Sequence, residues 1–396
     1  MDKINFFPDN LSVQNQKIIL RLDFNVPLKD KIITDDTRIA LCLPFVKKLI
    51  EKKAKIIIIS HLGRPKGVRD PALSLMPIYK YLKKKLGTNV YFFMGNFDDK
   101  LKEKFSYLKE GEVILIENIR YFKEETDDDE NFSKKLASIG DVYINDAFSC
   151  SHRKQASIHK ITKFIGKSFA GPLLKKEIDS INLIVKNKKE PVTCIIGGSK
   201  ISTKINVITS LIEKINNLVI VGAMANNFFT YKNFKVGKSL VEKNTKKIIE
   251  TIYKKASENK CRILIPEDCV VGSSFDGSGV EKDLNTIDDN DIILDIGPKT
   301  IKSIKHAIDN SNTVLWNGPA GYFENENFMA GTMSIAETIS KKTTEKTLIS
   351  ILGGGDTLAA INKSENKLFF THLSTAGGAF LEYLEGKDLP GLSVLK

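Results

Sequence analysis

The sequence predicts an α/β protein of two doubly wound parallel-sheet lobes joined by a helix. Three observations carry that prediction. Continuous apolar runs of strand length alternate with amphipathic helical stretches from residue 16 onward, the pattern of parallel sheets covered on both faces. These runs are too many for one compact sheet, and 396 residues exceed one ordinary core. Gly171-Pro172 then breaks the alternation, and the apolar residues at 174, 178, 181 and 185 have the spacing of a helix able to bridge two lobes. The expected division is 1–172 and 173–384, with a tail at 385–396 tucked against one lobe.

In the first half the strand candidates are 18–22, 56–59, 90–93, 113–116 and 142–144. Those in the second half are 193–196, 218–221, 263–265, 292–294, 313–315 and 347–351. Helical spacing fills the gaps, as at Ile39, Leu43, Val46, Leu49 and Ile50. No internal repeat or low-complexity segment interrupts the pattern.

Hydrophobic residues make up 42% of the chain and charged residues 27%, a soluble globular balance. No apolar run approaches the roughly 20 residues that span a bilayer, and the opening MDKINFFPDN lacks a signal-peptide core. A cytoplasmic protein with no membrane partner is expected. Cys42, Cys150, Cys194, Cys261 and Cys269 are scattered and form no CxxC, so reduced, mostly buried thiols are expected in place of disulfides or zinc. The net charge of +12 invites an anionic partner. Most of it is assigned to lysine pairs on helix faces, such as Lys47-Lys48, Lys52-Lys53 and Lys341-Lys342.

The arginines differ, because they stand in loops directly after strands. In α/β sheets ligands collect at the carboxyl ends of strands. Arg21-Leu22-Asp23-Phe24-Asn25 follows the first strand, and the capping cluster 34–37 leads to Arg38 in a first helical turn. His61 and Arg64 follow the second strand, Arg120 follows 113–116, and Arg153 lies beyond 142–144 with His152 beside it. One such arginine reads as a surface salt bridge. Arg38, Arg64, Arg120 and Arg153 together at one sheet edge read as a pocket for a small, multiply charged anion. Zinc binding by His61 and His152 lacks a third ligand at useful spacing, and His152, His159 and His306 also read as structural histidines.

Three glycine loops mark the second half. Gly353-Gly354-Gly355-Asp356-Thr357 lies between an apolar run and a helical stretch, an arrangement that points backbone N–H groups at an anion. Asp356 and Thr357 are placed at its N-cap, Thr357 as a donor to phosphate and Asp356 as a ligand for Mg²⁺ arriving on a nucleotide. An ordinary capped turn is the alternative. Gly197-Gly198-Ser199-Lys200 precedes a helix with Lys200 and Lys204 expected on one face of its first turn, where the helix dipole disfavours them unless an anion compensates. Thr375-Ala376-Gly377-Gly378 is the third loop. Trp316-Asn317-Gly318-Pro319 fits either core packing with a turn or a nucleotide pocket, and the acidic run 124–130 reads as a solvated helix start.

Other nucleotide motifs are missing. Gly166-Lys167-Ser168 and Gly237-Lys238-Ser239 imitate the end of a P-loop, but Ile161 and Lys232 stand where its first glycine belongs. No GxGxxG follows the first strand, which disfavours a dinucleotide dehydrogenase.

Nine motifs in order, RLDFNVP, DDTRI, SHLGRPKG, ENIRY, NDAF with SHR, GGSKISTKI, WNGPAGYFE, GGGDT and STAGGAFLE, resemble the phosphoglycerate kinase family from about Lys17 to Leu392. The resemblance implies two Rossmann-like lobes with an interdomain helix and hinge that close over Mg-ADP or Mg-ATP and 3-phosphoglycerate or 1,3-bisphosphoglycerate, in a monomer. It implies that Asp23, Asn25, Arg38, His61, Arg64, Arg120 and Arg153 bind phosphoglycerate. It further assigns Lys200, Lys204, Gly222, Leu294, Asn317, Glu324 and 353–357 to the nucleotide, with Asp356 on magnesium. Arg38, Lys200, Lys204, Gly377 and Gly378 would serve the transferring phosphoryl group, and the tail would pack on the N-terminal lobe. The chain departs from the family pattern at Ala376 and Ile293, where glycines are usual, and at Ser149-Cys150-Ser151, where Gly-Thr-Ala is usual. The rival readings are a non-catalytic anion-binding protein on the same fold and a nucleic-acid binder. The latter should show a basic stripe interleaved with exposed aromatics, whereas the basic groups here are tied to strand ends.

Overall fold

A computed structural model describes residues 4–87, 89–98 and 101–396. In it the apolar runs form two six-stranded parallel sheets. The chain runs β1 (Lys17–Arg21), β2 (Leu28–Lys29), β3 (Ile32–Ile33), α1 (Thr37–Glu51), β4 (Lys55–Ile59), α2 (Met76–Leu86), β5 (Val90–Phe93), α3 (Leu101–Lys104) and β6 (Val113–Ile116). It continues through α4 (Lys123–Thr126), α5 (Glu130–Ala137), β7 (Val142–Asn145), β8 (Ser168–Ala170) and α6 (Pro172–Val185). The second half begins β9 (Val192–Ile196), α7 (Ile205–Ile212), β10 (Asn217–Ile220), α8 (Ala225–Tyr231), α9 (Lys246–Glu258), β11 (Arg262–Leu264), β12 (Asp268–Gly272), β13 (Val280–Asp283) and β14 (Ile292–Ile296). It ends with α10 (Pro298–Asp309), β15 (Thr313–Asn317), α11 (Ala330–Thr344), β16 (Ile349–Gly353), α12 (Gly355–Ile361), β17 (His372–Ser374), α13 (Gly378–Leu384) and α14 (Pro390–Ser393).

The first sheet is ordered β5-β6-β4-β1-β7-β8 and the second β11-β10-β9-β15-β16-β17. Both faces of each are covered, which is why the central strands read as unbroken apolar runs. In the first unit Ile18, Leu20, Ile56, Ile58, Leu115 and Ile144 pack with Ile39, Val46 and Leu49 of α1. In the second, Ile195, Val219, Val314, Trp316 and Leu352 pack with Ile304, Ile335 and Ile339.

Compactness divides the chain into residues 1–178 with 388–396, and residues 179–387. The division falls inside α6, beyond the Gly-Pro break that the sequence suggested. Asp146 at the end of β7 anchors this helix by accepting from the Leu174 N–H at 2.8 Å, and burial pushes its carboxyl up to about 7. The last residues join the first unit. Leu389, Leu392 and Leu395 are buried, the Gly391 N–H donates to Ser151 O at 2.8 Å, and the Asn5 N–H donates to Leu395 O at 2.7 Å.

The structure departs from the sequence reading at several points. The run 292–294 is not in the parallel sheet; β14 pairs antiparallel with β12, which pairs with β13 on its other edge. Edge strands β8 and β17 are three residues long, too short for the sequence pattern to register. Helix α7 begins at Ile205, so Lys200 and Lys204 precede it, with Lys204 at its N-cap. The N-cap of α12 is Gly354, whose φ of +98° favours glycine, so Asp356 and Thr357 lie inside its first turn. The acidic run is not simply solvated either. Glu125 is fully buried, Asp128 bonds to His159 Nδ1 at 2.7 Å, and Asp129 caps α5. The five cysteines are free and buried, as expected.

Candidate active site

The first unit gathers its charged residues at the carboxyl ends of the adjacent strands β6, β4, β1 and β7. The strand ends are tied together by short polar side chains. Ser60 accepts from the Phe24 N–H at 2.9 Å and donates to Leu22 O at 2.9 Å, joining the end of β4 to that of β1. Asn118 donates to Leu62 O and Leu73 O at 2.7 and 2.8 Å. On this frame Asn25 accepts from the Gly63 N–H at 2.8 Å. Asp23 accepts from the Asn25 N–H at 2.9 Å, from Arg38 Nη1 at 2.8 Å and from the Ser149 hydroxyl.

Arg120 is 4% exposed, and only Nη1 is engaged, donating to Gly63 O at 2.8 Å. Its Nε and Nη2 are buried without a partner. Desolvation, with Arg21 and Arg153 nearby, lowers its pKa to about 10, which leaves it charged at neutral pH. Burial and the charges of Arg21, Arg120, Arg153 and Arg38 hold His61 well below its ordinary value, so it is neutral. His152, bonded through Nε2 to Arg153 Nε at 3.2 Å, is pushed down to about 4 by burial and Arg153. Arg64 is exposed. The local excess of buried positive charge and the two idle nitrogens of Arg120 call for an anion.

Among the described residues His61 and His152 do not share a three-donor cluster, but Asp23, His61 and Cys150 bring three donor atoms within 4.8 Å of one another. Two of the three already face a cation of the protein itself. Arg21 Nη2 is 3.3 Å from His61 Nδ1 and 3.9 Å from Cys150 Sγ. Sequence reading assigned Arg21 no role of its own. The available signal was a permanent charge inside the apolar run IILRL, which implies a buried partner.

In the second unit, the ends of β9, β15 and β16 meet with their backbones close together. A Cβ on Gly318 would lie 2.4 Å from Gly197 O, and one on Gly197 would lie 2.2 Å from Pro319 O. Lys204 reaches across this junction, donating to Gly197 O at 2.6 Å and to Asn317 Oδ1 at 2.9 Å. Burial lowers its pKa to about 8, although Asp356 opposes that shift. Asn317 Nδ2 is buried and unpartnered. Thr357 is fully buried, donating to Gly353 O and accepting from the Gly318 N–H, so its hydroxyl is committed to the backbone rather than offered to a phosphate. Lys200 is exposed in the loop ahead of α7. Trp316 is core, with its indole N–H on Gly318 O at 2.7 Å.

Beside this junction opens a pocket of about 340 Å³ whose wall includes Gly222, Leu294, Glu324 and Asp356. The sequence did not single out an aromatic pair in its wall, Phe275 and Tyr322, which pack edge to face at 5.0 Å. Ile293 also lines it, held by its N–H on Ser239 Oγ at 2.8 Å. Gly377, with φ +56°, caps α13, and Gly378 begins that helix. Their loop leaves β17 next to the loop leaving β16, because Ser374 pairs with Gly353. An apolar slot opening onto lysine, an exposed carboxylate and glycine-rich helix starts suits a nucleobase at one end and phosphates at the other.

A family model described as phosphoglycerate kinase matches residues 9–387. The phosphoglycerate kinase of Wolbachia pipientis wMel is 44% identical over 390 residues, covering 98% of both chains. That of Pseudothermotoga lettingae is 44% identical over 389 residues, covering 97% of this chain and 96% of the relative. The solved structure of phosphoglycerate kinase from Coxiella burnetii superposes with a TM-score of 0.87 at 37% identity, over 98% of this chain and 97% of that one.

Proposed function

The chain belongs to the phosphoglycerate kinase family, and from that premise we infer how its residues divide the reaction. The activity is that of a glycolytic kinase, which moves a phosphoryl group between a carboxyl group of phosphoglycerate and ADP. Asp23, Asn25, Arg38, His61, Arg64, Arg120 and Arg153 bind 3-phosphoglycerate in the first unit. The observation that carries this reading is the pair of buried, unpartnered nitrogens on Arg120 amid like charges, which a phosphate or carboxylate would satisfy. The second unit binds ADP or ATP, with the base in the slot of Gly222, Leu294 and Glu324 and the phosphates near Lys200, Lys204, Asn317 and 353–357.

The donor set suits magnesium. Asp356 is exposed, lines the slot and lies in the first turn of α12. A single carboxylate is the protein ligand that a nucleotide-borne Mg²⁺ needs, since that ion keeps phosphate oxygens and waters as its other ligands. When bound, it neutralises charge on the phosphate chain.

In the ATP-consuming direction the acceptor carboxylate is already ionised at neutral pH, so no general base is required. The protein's residues align two anions for in-line transfer and neutralise the moving phosphoryl group. Arg38 and Lys200 do so from the two units, with Gly377 and Gly378 offering backbone N–H groups. The two sets of groups lie in different units, so turnover requires the units to close by hinge bending, which also excludes water. A cytoplasmic monomer is the form we propose. Support for the location is the glycolytic role, and among the described residues no helix is long and apolar enough to cross a membrane.

Coupled turnover of 3-phosphoglycerate and Mg-ATP by the purified chain tests the reading. Robust activity is expected; a chain that binds nucleotide without turnover would instead be a non-catalytic relative. Lys204 supplies a second check. Its pKa of about 8 in the free protein rises when phosphates arrive, so binding of Mg-ADP takes up protons between that value and the ordinary lysine range. Affinity therefore falls as pH rises through about 8. Calorimetry at about pH 9 in buffers of different ionisation enthalpy reads the uptake, and a buffer-independent enthalpy would take Lys204 off the phosphates.

A further inference from the structure

Arg21 is fully buried, yet its charge is permanent. All three of its donor nitrogens are engaged within the protein. Nη1 donates to Leu22 O, Nε to Ser157 Oγ at 3.0 Å, and Nη2 to His61 Nδ1 at 3.3 Å. The counter-charge is Glu125, also fully buried, which accepts from Ser157 Oγ at 2.7 Å and from the Ser157 N–H at 2.8 Å. One hydroxyl therefore separates guanidinium from carboxylate. Tyr143 fixes the same segment by donating to Ser157 O at 2.7 Å. Arg120 keeps nitrogens idle; Arg21 has its counter-ion and its acceptors already. It is built to act on a neighbour.

That neighbour is His61. A guanidinium has only donors, so the Nδ1 facing it must present its lone pair, and the ring proton must sit on Nε2. The opposite tautomer would set N–H against N–H. That proton would have only Asp23 Oδ1 at 4.0 Å, beyond hydrogen-bond range, and Cys150 Sγ at 3.9 Å, a weak acceptor at the limit for sulfur, to compensate. We propose that Arg21, held by Ser157 and Glu125, is a positioning residue that fixes His61 in the Nε2–H tautomer, so that His61 meets the anionic substrate as a neutral hydrogen-bond donor. The substrate half of this statement rests on the reading of His61 as a phosphoglycerate contact.

A long-range ¹H–¹⁵N spectrum of the full chain labelled at histidine tests it, with His61→Gln used for assignment. The expected wild-type pattern has an unprotonated Nδ1 and a protonated Nε2 for His61, before any substrate is added. R21M/E125Q removes both buried charges together, so that neither is left unpaired. It should give a mixed or inverted His61 tautomer and raise KM for 3-phosphoglycerate about tenfold while kcat changes little. Should that pair fail to fold, R21K keeps the charge but loses the planar fork and should show the same trend more weakly. A wild-type Nδ1 that carries the proton overturns the inference, as does a variant with tautomer and KM both unchanged. A wild type with the expected tautomer but no turnover would count against the kinase reading and leave the relation between Arg21 and His61 standing.

Discussion

Arg38→Ala is expected to lose about a thousandfold in kcat, the scale of one preorganised charge on a transferring group, while KM for 3-phosphoglycerate rises about tenfold at most. The asymmetry follows from its setting. Arg38 stands in the first turn of α1 with its side chain 30% exposed, and one nitrogen bonds to Asp23 Oδ2 at 2.8 Å. Removing it does not strand Asp23, because the Ser149 hydroxyl and the Asn25 N–H still donate to that carboxylate. The substrate pocket around Arg120 and His61 therefore survives, and the loss falls on the transition state. Coupled turnover measured beside equilibrium binding of 3-phosphoglycerate separates the two effects. If kcat is retained and only affinity falls, Arg38 is a ground-state contact and the phosphoryl group is stabilised from elsewhere.

Gly318→Ala should be strongly damaging for so small a substitution. The residue has φ +100°, and an added Cβ would lie 2.4 Å from Gly197 O and 2.5 Å from the Gly197 carbonyl carbon. Both obstacles are backbone, so no rotamer change relieves them. The same residue accepts from Trp316 Nε1 through its carbonyl and donates its N–H to Thr357 Oγ1, tying the end of β15 to the first turn of α12. Strain and overpacking together should cost about 3 kcal/mol, and Mg-ADP affinity should fall because Lys204 and Asn317 bridge this junction. Gly355→Ala is the control. A Cβ there meets nothing within 4 Å, and that residue carries no positive φ, so its thermal midpoint should stay near wild type. Calorimetric unfolding with nucleotide titration reads both variants. Equal midpoints would mean that the ends of β9 and β15 can separate without penalty.

Much of the site was legible because its chemistry is local. A parallel strand delivers its next residues to the ligand-bearing edge, so Asp23, His61, Arg120 and Asn317 could be placed from strand ends alone. Glycine runs before helical spacing marked the close backbone approach at Gly197 and the positive-φ helix start at Gly354. Legibility failed where a residue's partner is distant in sequence. Glu125 looks like its acidic neighbours until Ser157 covers it. Ile293 reads as part of a parallel strand, since an apolar run carries no information about its pairing direction; β14 is claimed by β12 through antiparallel bonds. Thr357 reads as a phosphate donor until Gly318 arrives from another strand to use its oxygen.

The sequence by itself therefore determined the α/β class, the alternating elements and the positions of the charged groups, since hydrophobic period, glycine spacing and strand-end placement are properties of adjacent residues. The tertiary structure alone decided which charges are satisfied internally and which remain open to a ligand. Arg21 and Arg120 both follow or end an apolar strand. One is closed by Glu125 and Ser157, whereas the other keeps two buried nitrogens idle. The difference lies in what packs against each guanidinium, because a buried charge is set by its surroundings in space rather than by its neighbours along the chain.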